Sequence, residues 1–446
     1  MFTDVIAALA TPPGRAAIAV VRVSGTGALE VAQKIVHHMA LEGLEPRRAT
    51  LATLVTAEGA PLDQALVTVF RSPHSYTGDD LVEFSCHGGV LVPAQVIGAL
   101  YAAGARPAQP GEFTRRAVLN GKLDLLQAEA VGDLIDATAP AQARAALHQL
   151  EGGLSQRLNA LREELLELLA LLSYDIDFPE EDDGPIPVER IRGGLDGVAA
   201  RVDRLLATAP AGERLREGAL IVLAGRPNAG KSSLFNALLG TNRALVTEIP
   251  GTTRDTIEAP SEVLSWPIRL ADTAGLRDSD QRLEQMGIEV SRHYVAAGDL
   301  LLLCVEAGQP LTAPERLMLA DRPTVLVRTK ADLVPVGGPE IEGLPTSSVT
   351  GEGLDRLREA IAARLFSGAG GCVDMTPMLT RERHRIALSR AGPALAAARR
   401  ELEPGGDPVL VAHHVRGAVE ALDELIGVVH PDEVLGRVFE RFCVGK

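Results

Sequence analysis

The pattern of apolar and polar positions changes character several times along the chain. Through residues 1–120, short apolar runs at 17–23, 65–70 and 81–85 are separated by Gly/Pro turns, and a helical stretch follows Gly89. That mixture predicts a small α+β domain. From about residue 123 to 207 the period turns helical. Leu154, Leu158, Leu161, Leu165, Leu168 and Leu172 advance in steps of four and three, which puts them on one helix face. The run is too short for a free coiled coil and predicts a buried bundle helix. An acidic stretch follows, with Asp175, Asp177 and then Phe178-Pro179-Glu180-Glu181-Asp182-Asp183, read as a solvated turn broken by Pro179. From 219 to about 365 strands and helices alternate, with candidate strands at 220–224, 268–271, 300–305 and 324–327. Such alternation predicts a parallel sheet covered on both faces. A Gly-rich break at 368–371 ends it, and 378–446 is helical again around a turn at 404–408. The expected division is an N-terminal α+β domain (1–120), a discontinuous helical domain (121–217 and 369–446), and an inserted α/β domain (218–368).

Composition narrows the classes. At 446 residues the chain is too long for one core. Apolar residues make up 46% and charged residues 23%, the balance of a soluble globular protein. The formal net charge is -15, so any nucleic-acid contact is local or shared with a partner. Arg381, Arg383, His384 and Arg385 form one local basic cluster, read as a solvated helix face or a contact to RNA. Cys86, Cys304, Cys372 and Cys443 are scattered, with no CxxC pair to suggest zinc or a disulfide framework. The start of the chain carries Asp4 where a signal peptide needs positive charge. No stretch approaches the roughly 20 apolar residues of a membrane span. A cytoplasmic location without membrane contact is expected.

The clearest chemistry is Gly225-Arg226-Pro227-Asn228-Ala229-Gly230-Lys231-Ser232, a GxxxxGK[ST] loop between a buried strand and a helix. Its backbone N–H groups and the helix N-terminus converge on phosphates. Lys231 reaches the β- and γ-phosphates and Ser232 can ligate Mg²⁺. Further along comes Asp272-Thr273-Ala274-Gly275, whose carboxylate would hold Mg²⁺ through water and whose Gly275 N–H would meet the γ-phosphate. Thr329-Lys330-Ala331-Asp332 follows another strand. A carboxylate at Asp332 accepts from guanine N1–H and the 2-amino group, which adenine cannot match. Ser347-Ser348 are placed to add backbone contacts to the base. These motifs in this order predict a Ras-like G domain that binds GTP. Thr329 stands where guanine-specific proteins usually carry Asn. Leu276 stands where Ras-like proteins use Gln to orient the attacking water. That group must come from elsewhere, and Asp278, Asp280 and Glu284 are candidates beside their plain reading as a solvated acidic segment. Thr253 is a candidate second Mg²⁺ ligand, and the Asn228 carbonyl is a candidate ligand for a monovalent cation that neutralises charge between the β- and γ-phosphates.

The runs GRPNAGKSSLFNALLG, TEIPGTTRD, DTAGLRDSDQRLEQMGIE and FCVGK resemble the MnmE (TrmE) family of tRNA uridine-modifying GTPases. So do ATPPGR, SYTGDDLVEFSCHGG, PGEFTRRAVLNGKLDLLQAEAVGDLIDA and DIDFPEEDD, so that the likeness covers essentially the whole chain. The resemblance implies a homodimer through the N-terminal domain, which binds 5-formyltetrahydrofolate or a related tetrahydrofolate. It also implies G domains that approach each other with GTP and K⁺ bound. By motif, Asn228, Thr247, Ile249 and Thr252 would hold K⁺, and Ser232 and Thr253 would hold Mg²⁺. Glu284 would position the water, alongside Lys231 as a catalytic group. The nucleotide site would span Asn228, Ala229, Gly230, Lys231, Ser232, Ser233, Thr247, Glu248, Ile249, Thr252, Thr253, 272–275, Thr329, Lys330, Asp332, Ser347 and Ser348. Folate would meet Arg22, Glu83, Lys122 and Lys446, and Cys443 would be a candidate functional thiol. The implied partners are tRNA and the flavoprotein MnmG (GidA), in a heterotetramer or larger complex. Together they would install an aminomethyl-type group at C5 of a wobble uridine. The competing readings are a ribosome-assembly GTPase of the Era or Der kind, which should carry a basic RNA-binding domain or a second G domain, and a switch that signals by nucleotide state alone.

Overall fold

The computed structural model describes residues 4–177, 187–240, 258–272, 294, 296–334, 342–366, 377–427, 438–439 and 442–445. The chain divides into two units, Met1–Gly132 with Asp423–Lys446, and Asp133–Leu422.

The first unit is built from β1 (Ile6–Leu9), β2 (Ile18–Ser24), α1 (Ala28–Gln33), β3 (Thr50–Val55), β4 (Pro61–Phe70), β5 (Leu81–His87), α2 (Leu91–Ala103), β6 (Arg106–Pro107), α3 (Glu112–Leu119) and the start of α4 (Leu125–Asp136). Its six-stranded sheet runs β3-β4-β5-β2-β1-β6, antiparallel except for β1 with β6. Strand alternation sorts the faces. Ala19, Val21 and Val23 join Val67, Val69, Val82, Phe84, Val96 and Leu100 in the core beneath α1 and α2. The other face is covered at β1, where Ile6 and Ala8 pack with Phe113 and Tyr76, and is open further along, with Ile18, Leu51 and Leu66 at 58%, 63% and 43% exposure. The end of the chain returns to this unit, because Phe439 and Phe442 pack with Val118, Leu125 and Ala128.

A buried charge cluster anchors α3. Arg116, 1% exposed, donates to Asp4 Oδ1 at 2.8 Å and to Glu112 Oε1 at 2.9 Å, and Arg106 Nη2 reaches the same Glu112 oxygen at 2.6 Å. Burial pushes the Glu112 carboxyl up, but Arg106, the Gln109 N–H and Arg116 together hold it below its ordinary value. Arg116→Ala leaves Glu112 buried beside one cation fewer and is expected to cost about 3–5 kcal/mol in urea unfolding. A depressed carboxylate contributes stability that is present above its unfolded pKa and is lost as pH falls through its folded one. The penalty of the substitution should therefore shrink in acid, when urea unfolding is repeated below pH 4.5, the group's ordinary value.

The second unit continues through α5 (Pro140–Leu150), α6 (Gly153–Asp177), α7 (Val188–Ala207), α8 (Ala209–Glu217), β7 (Ala219–Gly225), α9 (Lys231–Leu239), β8 (Glu258–Val263), β9 (Trp266–Asp272), β10 (Leu300–Glu306), α10 (Ala313–Asp321), β11 (Thr324–Thr329), β12 (Leu344–Pro345), α11 (Leu354–Phe366), α12 (Glu382–Glu401) and α13 (Pro408–Ile426). All six periodic leucines of α6 are buried, as the spacing predicts. The sheet runs β12-β11-β10-β7-β9-β8 and is parallel apart from β8 with β9. Its central strands β7 and β10 are almost wholly buried, which explains their uninterrupted apolar runs. α9 and α11 cover one face through Leu234, Leu238, Leu357 and Ile361, while Met318 and Leu319 of α10 cover the other. Asp133 ties together the two chain segments leading into and out of this α/β part. It accepts from Arg216 Nε at 2.9 Å and from Arg381 Nη2 at 2.7 Å. Half of the basic cluster at 381–385 is thus turned inward. Arg381 is spent on Asp133 and His384 is fully buried, so neither offers a surface to RNA.

Candidate functional site: a phosphate loop and a guanine pocket

The phosphate loop leaves the buried end of β7 and enters α9 through two left-handed residues, Asn228 (φ 61) and Gly230 (φ 79). The turn begins at Gly225, where a Cβ would lie 2.2 Å from the Cys304 carbonyl of neighbouring β10, so only glycine fits. Lys231 is 7% exposed, and its Nζ donates to the carbonyls of Gly225 (3.0 Å) and Arg226 (2.7 Å), spanning the loop. Ser232 Oγ donates to Asp272 Oδ2 at 2.8 Å. That pair brings the loop hydroxyl and the β9 carboxylate to one point and fits Mg²⁺, which takes few protein oxygens and completes its shell with phosphate and water. Ser233 follows on α9.

The guanine side is organised from β11. Thr329, 2% exposed, donates its hydroxyl to the Ala229 carbonyl at 2.7 Å. This bond ties the segment that begins at Thr329 to the phosphate loop. Lys330 is left-handed (φ 55), with Nζ 3.1 Å from Glu306 Oε2. Asp332 is exposed in the turn Ala331–Leu333, which is fixed by the Ala331 N–H on the Thr346 carbonyl at 3.3 Å. Ser347 is buried, and its N–H is taken by the Glu352 carbonyl at 2.9 Å. Of the Ser347-Ser348 pair, only the Ser348 amide has no hydrogen bond among the described residues.

One contact escapes sequence reasoning. Arg226, inside the phosphate loop, forks onto Glu315 at 2.8 and 2.7 Å and donates to the Pro310 carbonyl at 2.6 Å. The Arg226 hydrogen bond is the chief reason the Glu315 carboxyl falls to about 2. The signal in the sequence was the Thr312-x-x-Glu315 capping box of α10, which gives no hint of its arginine partner.

In the first unit, Arg22 and Glu83 lie opposite each other on β2 and β5, and two Arg22 nitrogens meet Glu83 Oε1 at 2.9 and 2.7 Å. The Arg22 guanidinium sits 5.6 Å from the Tyr76 ring centre and 5.7 Å from that of Phe113. The chain end arrives at the same place, with Arg22 Nη1 donating to the Gly445 carbonyl at 3.3 Å. A Cβ on Gly445 would lie 2.2 Å from the Leu9 carbonyl, so glycine is needed for this approach. Lys122 is exposed and borders Gly78 of the loop that carries Tyr76. Cys443 is exposed, and its carbonyl accepts from the Gly111 N–H at 3.4 Å. Thr247, Glu248, Ile249, Thr252, Thr253, Thr273, Ala274, Gly275, Leu276, Asp278, Asp280, Glu284 and Lys446 lie outside the described residues, as does the acidic run from Phe178 to Asp183.

A phosphate loop joined to a Mg²⁺-type Ser–Asp pair and latched to a guanine-type Thr-Lys-x-Asp turn, on one mainly parallel sheet, defines a P-loop GTPase. The family described as "MnmE helical domain" matches residues 125–443, and that described as "GTP-binding protein TrmE N-terminus" matches residues 5–122. The tRNA modification GTPase MnmE of Thermus thermophilus is 47% identical over 449 residues, 99% of each chain. That of Chloroflexus aurantiacus is 42% identical over 453 residues, 99% of this chain and 100% of its own. Among solved structures, the G domain of the T. maritima FeoB iron transporter matches 33% of this chain and 98% of its own at 30% identity, with a TM-score of 0.24. The chain belongs to the MnmE family of tRNA modification GTPases. It joins a TrmE-type N-terminal domain and an MnmE helical domain to a Ras-like G domain. No helix among the described residues is long and apolar enough to cross a membrane.

Proposed function

We propose that this chain is a K⁺-stimulated, G-domain-dimerising GTPase of the cytoplasm that works as a homodimer with MnmG (GidA), in a heterotetramer or larger complex. The assembly installs an aminomethyl or carboxymethylaminomethyl group at C5 of the wobble uridine of certain tRNAs, with a one-carbon unit from 5-formyltetrahydrofolate. The observation that carries the folate half is the Arg22–Glu83 pair, walled by Tyr76 and Phe113 and reached by Gly445. Glu83 would accept from the pterin 2-amino group and ring N–H, with Arg22 orienting the carboxylate. Lys122 and Lys446 would meet the carboxylates of the glutamate tail. Ile18, Leu51 and Leu66 give the open sheet face the apolar surface that a second copy would cover.

In the G domain, Lys231 exchanges its two loop carbonyls for β- and γ-phosphate oxygens. Bound Mg²⁺, held by Ser232 and Thr253 with Asp272 through water, would offset the phosphate charge. Bound K⁺, held by Asn228, Thr247, Ile249 and Thr252, would supply the positive charge that an arginine finger supplies elsewhere. Glu284 positions the attacking water, and Cys443 stands as a candidate thiol whose exposure allows reaction. Deleting the protein should leave wobble uridines without the C5 group by mass spectrometry, and restoring it should return them. Purified protein should turn GTP over faster in KCl than in NaCl. Wobble uridines that keep the C5 group after deletion, or a rate indifferent to the cation, would sink the corresponding half.

A further inference from the structure

Helices α6 and α7 enclose a groove near the start of one and the end of the other. It holds about 510 Å³ and is lined by Arg157, Ala160 and Leu161 of α6 and by Arg201, Arg204 and Leu205 of α7. Leu161 and Leu205 are buried and make an apolar floor, while Arg157 and Arg204 are exposed. Helical spacing explains the grouping, since residues three and four apart share a face. Arg201 is fixed in the wall by Glu164 and by the Gly197 carbonyl at 3.1 Å. Arg157 and Arg204 have no hydrogen bond or ion pair among the described residues. Some arginines of the unit are held by carboxylates, Arg216 and Arg381 by Asp133 and Arg226 by Glu315. In a chain of net charge -15, two uncommitted guanidiniums over an apolar floor make a local cationic strip. The planar fork of arginine matches phosphate oxygens, and an apolar floor accepts the faces of sugars between them.

We propose that this groove binds the phosphate–ribose backbone of the tRNA on which the enzyme acts, an inference that rests on tRNA being the substrate. The contact is sequence-independent and positions the RNA, and it meets the requirement that an acidic chain touch nucleic acid only locally. Arg204 also lies in the last turn of α7, where a cation opposes the negative end of the helix, so its removal alone can lower stability.

The test is tRNA affinity of the full-length protein across a salt series, for wild type, the pair Arg157→Gln with Arg204→Gln, and the pair Arg157→Glu with Arg204→Glu. The Glu pair should bind tRNA roughly tenfold or more weakly, the Gln pair less severely. The slope of log affinity against log salt should flatten by about one for each phosphate contact removed. GTP turnover without tRNA should stay at wild-type level, which certifies the fold; if the Glu pair fails to fold, the Gln pair decides. Wild-type affinity and slope in folded variants would overturn the proposal, leaving helix-end stabilisation or an acidic protein partner as the role of these arginines. Should wild type bind no tRNA while deletion still erases the wobble modification, the groove is refuted and the tRNA reading stands. Normal wobble uridines after deletion would refute the reading itself.

Discussion

Glu284→Ala is expected to slow GTP hydrolysis by about 10²–10⁴-fold while leaving GTP affinity near wild type. The reason lies in which groups bind and which groups activate. In the proposed site, binding would rest on the phosphate loop, on Lys231 and on the Ser232–Asp272 pair, which are held by contacts among themselves. Activation needs a polar group to hold the attacking water in line with the γ-phosphate. Leu276 follows the Asp-x-x-Gly motif and has no atom that can accept or donate a hydrogen bond. In the proposed reading a carboxylate further along the same segment, Glu284, would supply the missing acceptor, and loss of an interaction made in the transition state lowers kcat without raising the dissociation constant. Single-turnover hydrolysis and nucleotide titration on the same preparation separate the two quantities. Loss of affinity would assign Glu284 a structural role, and unchanged turnover would move the water-positioning task to Asp278 or Asp280.

The parts of the site legible in the sequence are those whose residues are close together in the chain. β7, the loop and α9 form one continuous run, so a buried apolar strand followed by Gly-x₄-Gly-Lys-Ser could be placed before any fold was known. The α6 leucines were equally plain because helical period alone decides their face. What escaped depends on long-range contacts. Thr329 reads in isolation as an asparagine that has lost its amide, yet its hydroxyl reaches the Ala229 carbonyl across 100 residues of chain. Arg226 is an unassigned position of the phosphate-loop motif until topology sets Glu315 beside it. Arg381 looks like part of a basic surface, but its partner Asp133 lies 248 residues earlier. The chain end gave no periodic signal of docking against β1, because Gly445 is held there by close approach to the Leu9 carbonyl. β1 itself is only four residues long and was indistinguishable from a short apolar run.

Asp332→Asn is expected to weaken GTP binding by about 10²–10⁴-fold and to improve binding of xanthosine triphosphate. In the proposed site the carboxylate would accept two hydrogen bonds from guanine, and a hydrogen bond to a charged group contributes about 1.5–3 kcal/mol. Losing the one to the 2-amino group and leaving that donor unsatisfied, which costs about 1–3 kcal/mol more, gives about 2.5–6 kcal/mol, and at about 1.4 kcal/mol per tenfold this spans that range. Asparagine keeps one acceptor for N1–H but turns an amide donor toward the 2-amino donor of guanine. Xanthine presents a carbonyl at the same position, so the donor then finds its acceptor. The substitution should act on the base alone. The turn that carries Asp332 is held by the Ala331–Thr346 backbone bond, and the Thr329–Ala229 latch and Lys330–Glu306 pair hold the segment before it, none of which uses the Asp332 side chain. Its exposure means that the change leaves no unpaired buried group in the nucleotide-free protein. Displacement of a fluorescent nucleotide by GTP and by xanthosine triphosphate measures the exchange. Recovery of K⁺-dependent turnover with xanthosine triphosphate would show that the phosphate end of the site is intact. Unchanged GTP affinity would place base recognition on the Ser348 amide and the Thr329 segment instead, and with it the reason this site rejects adenine.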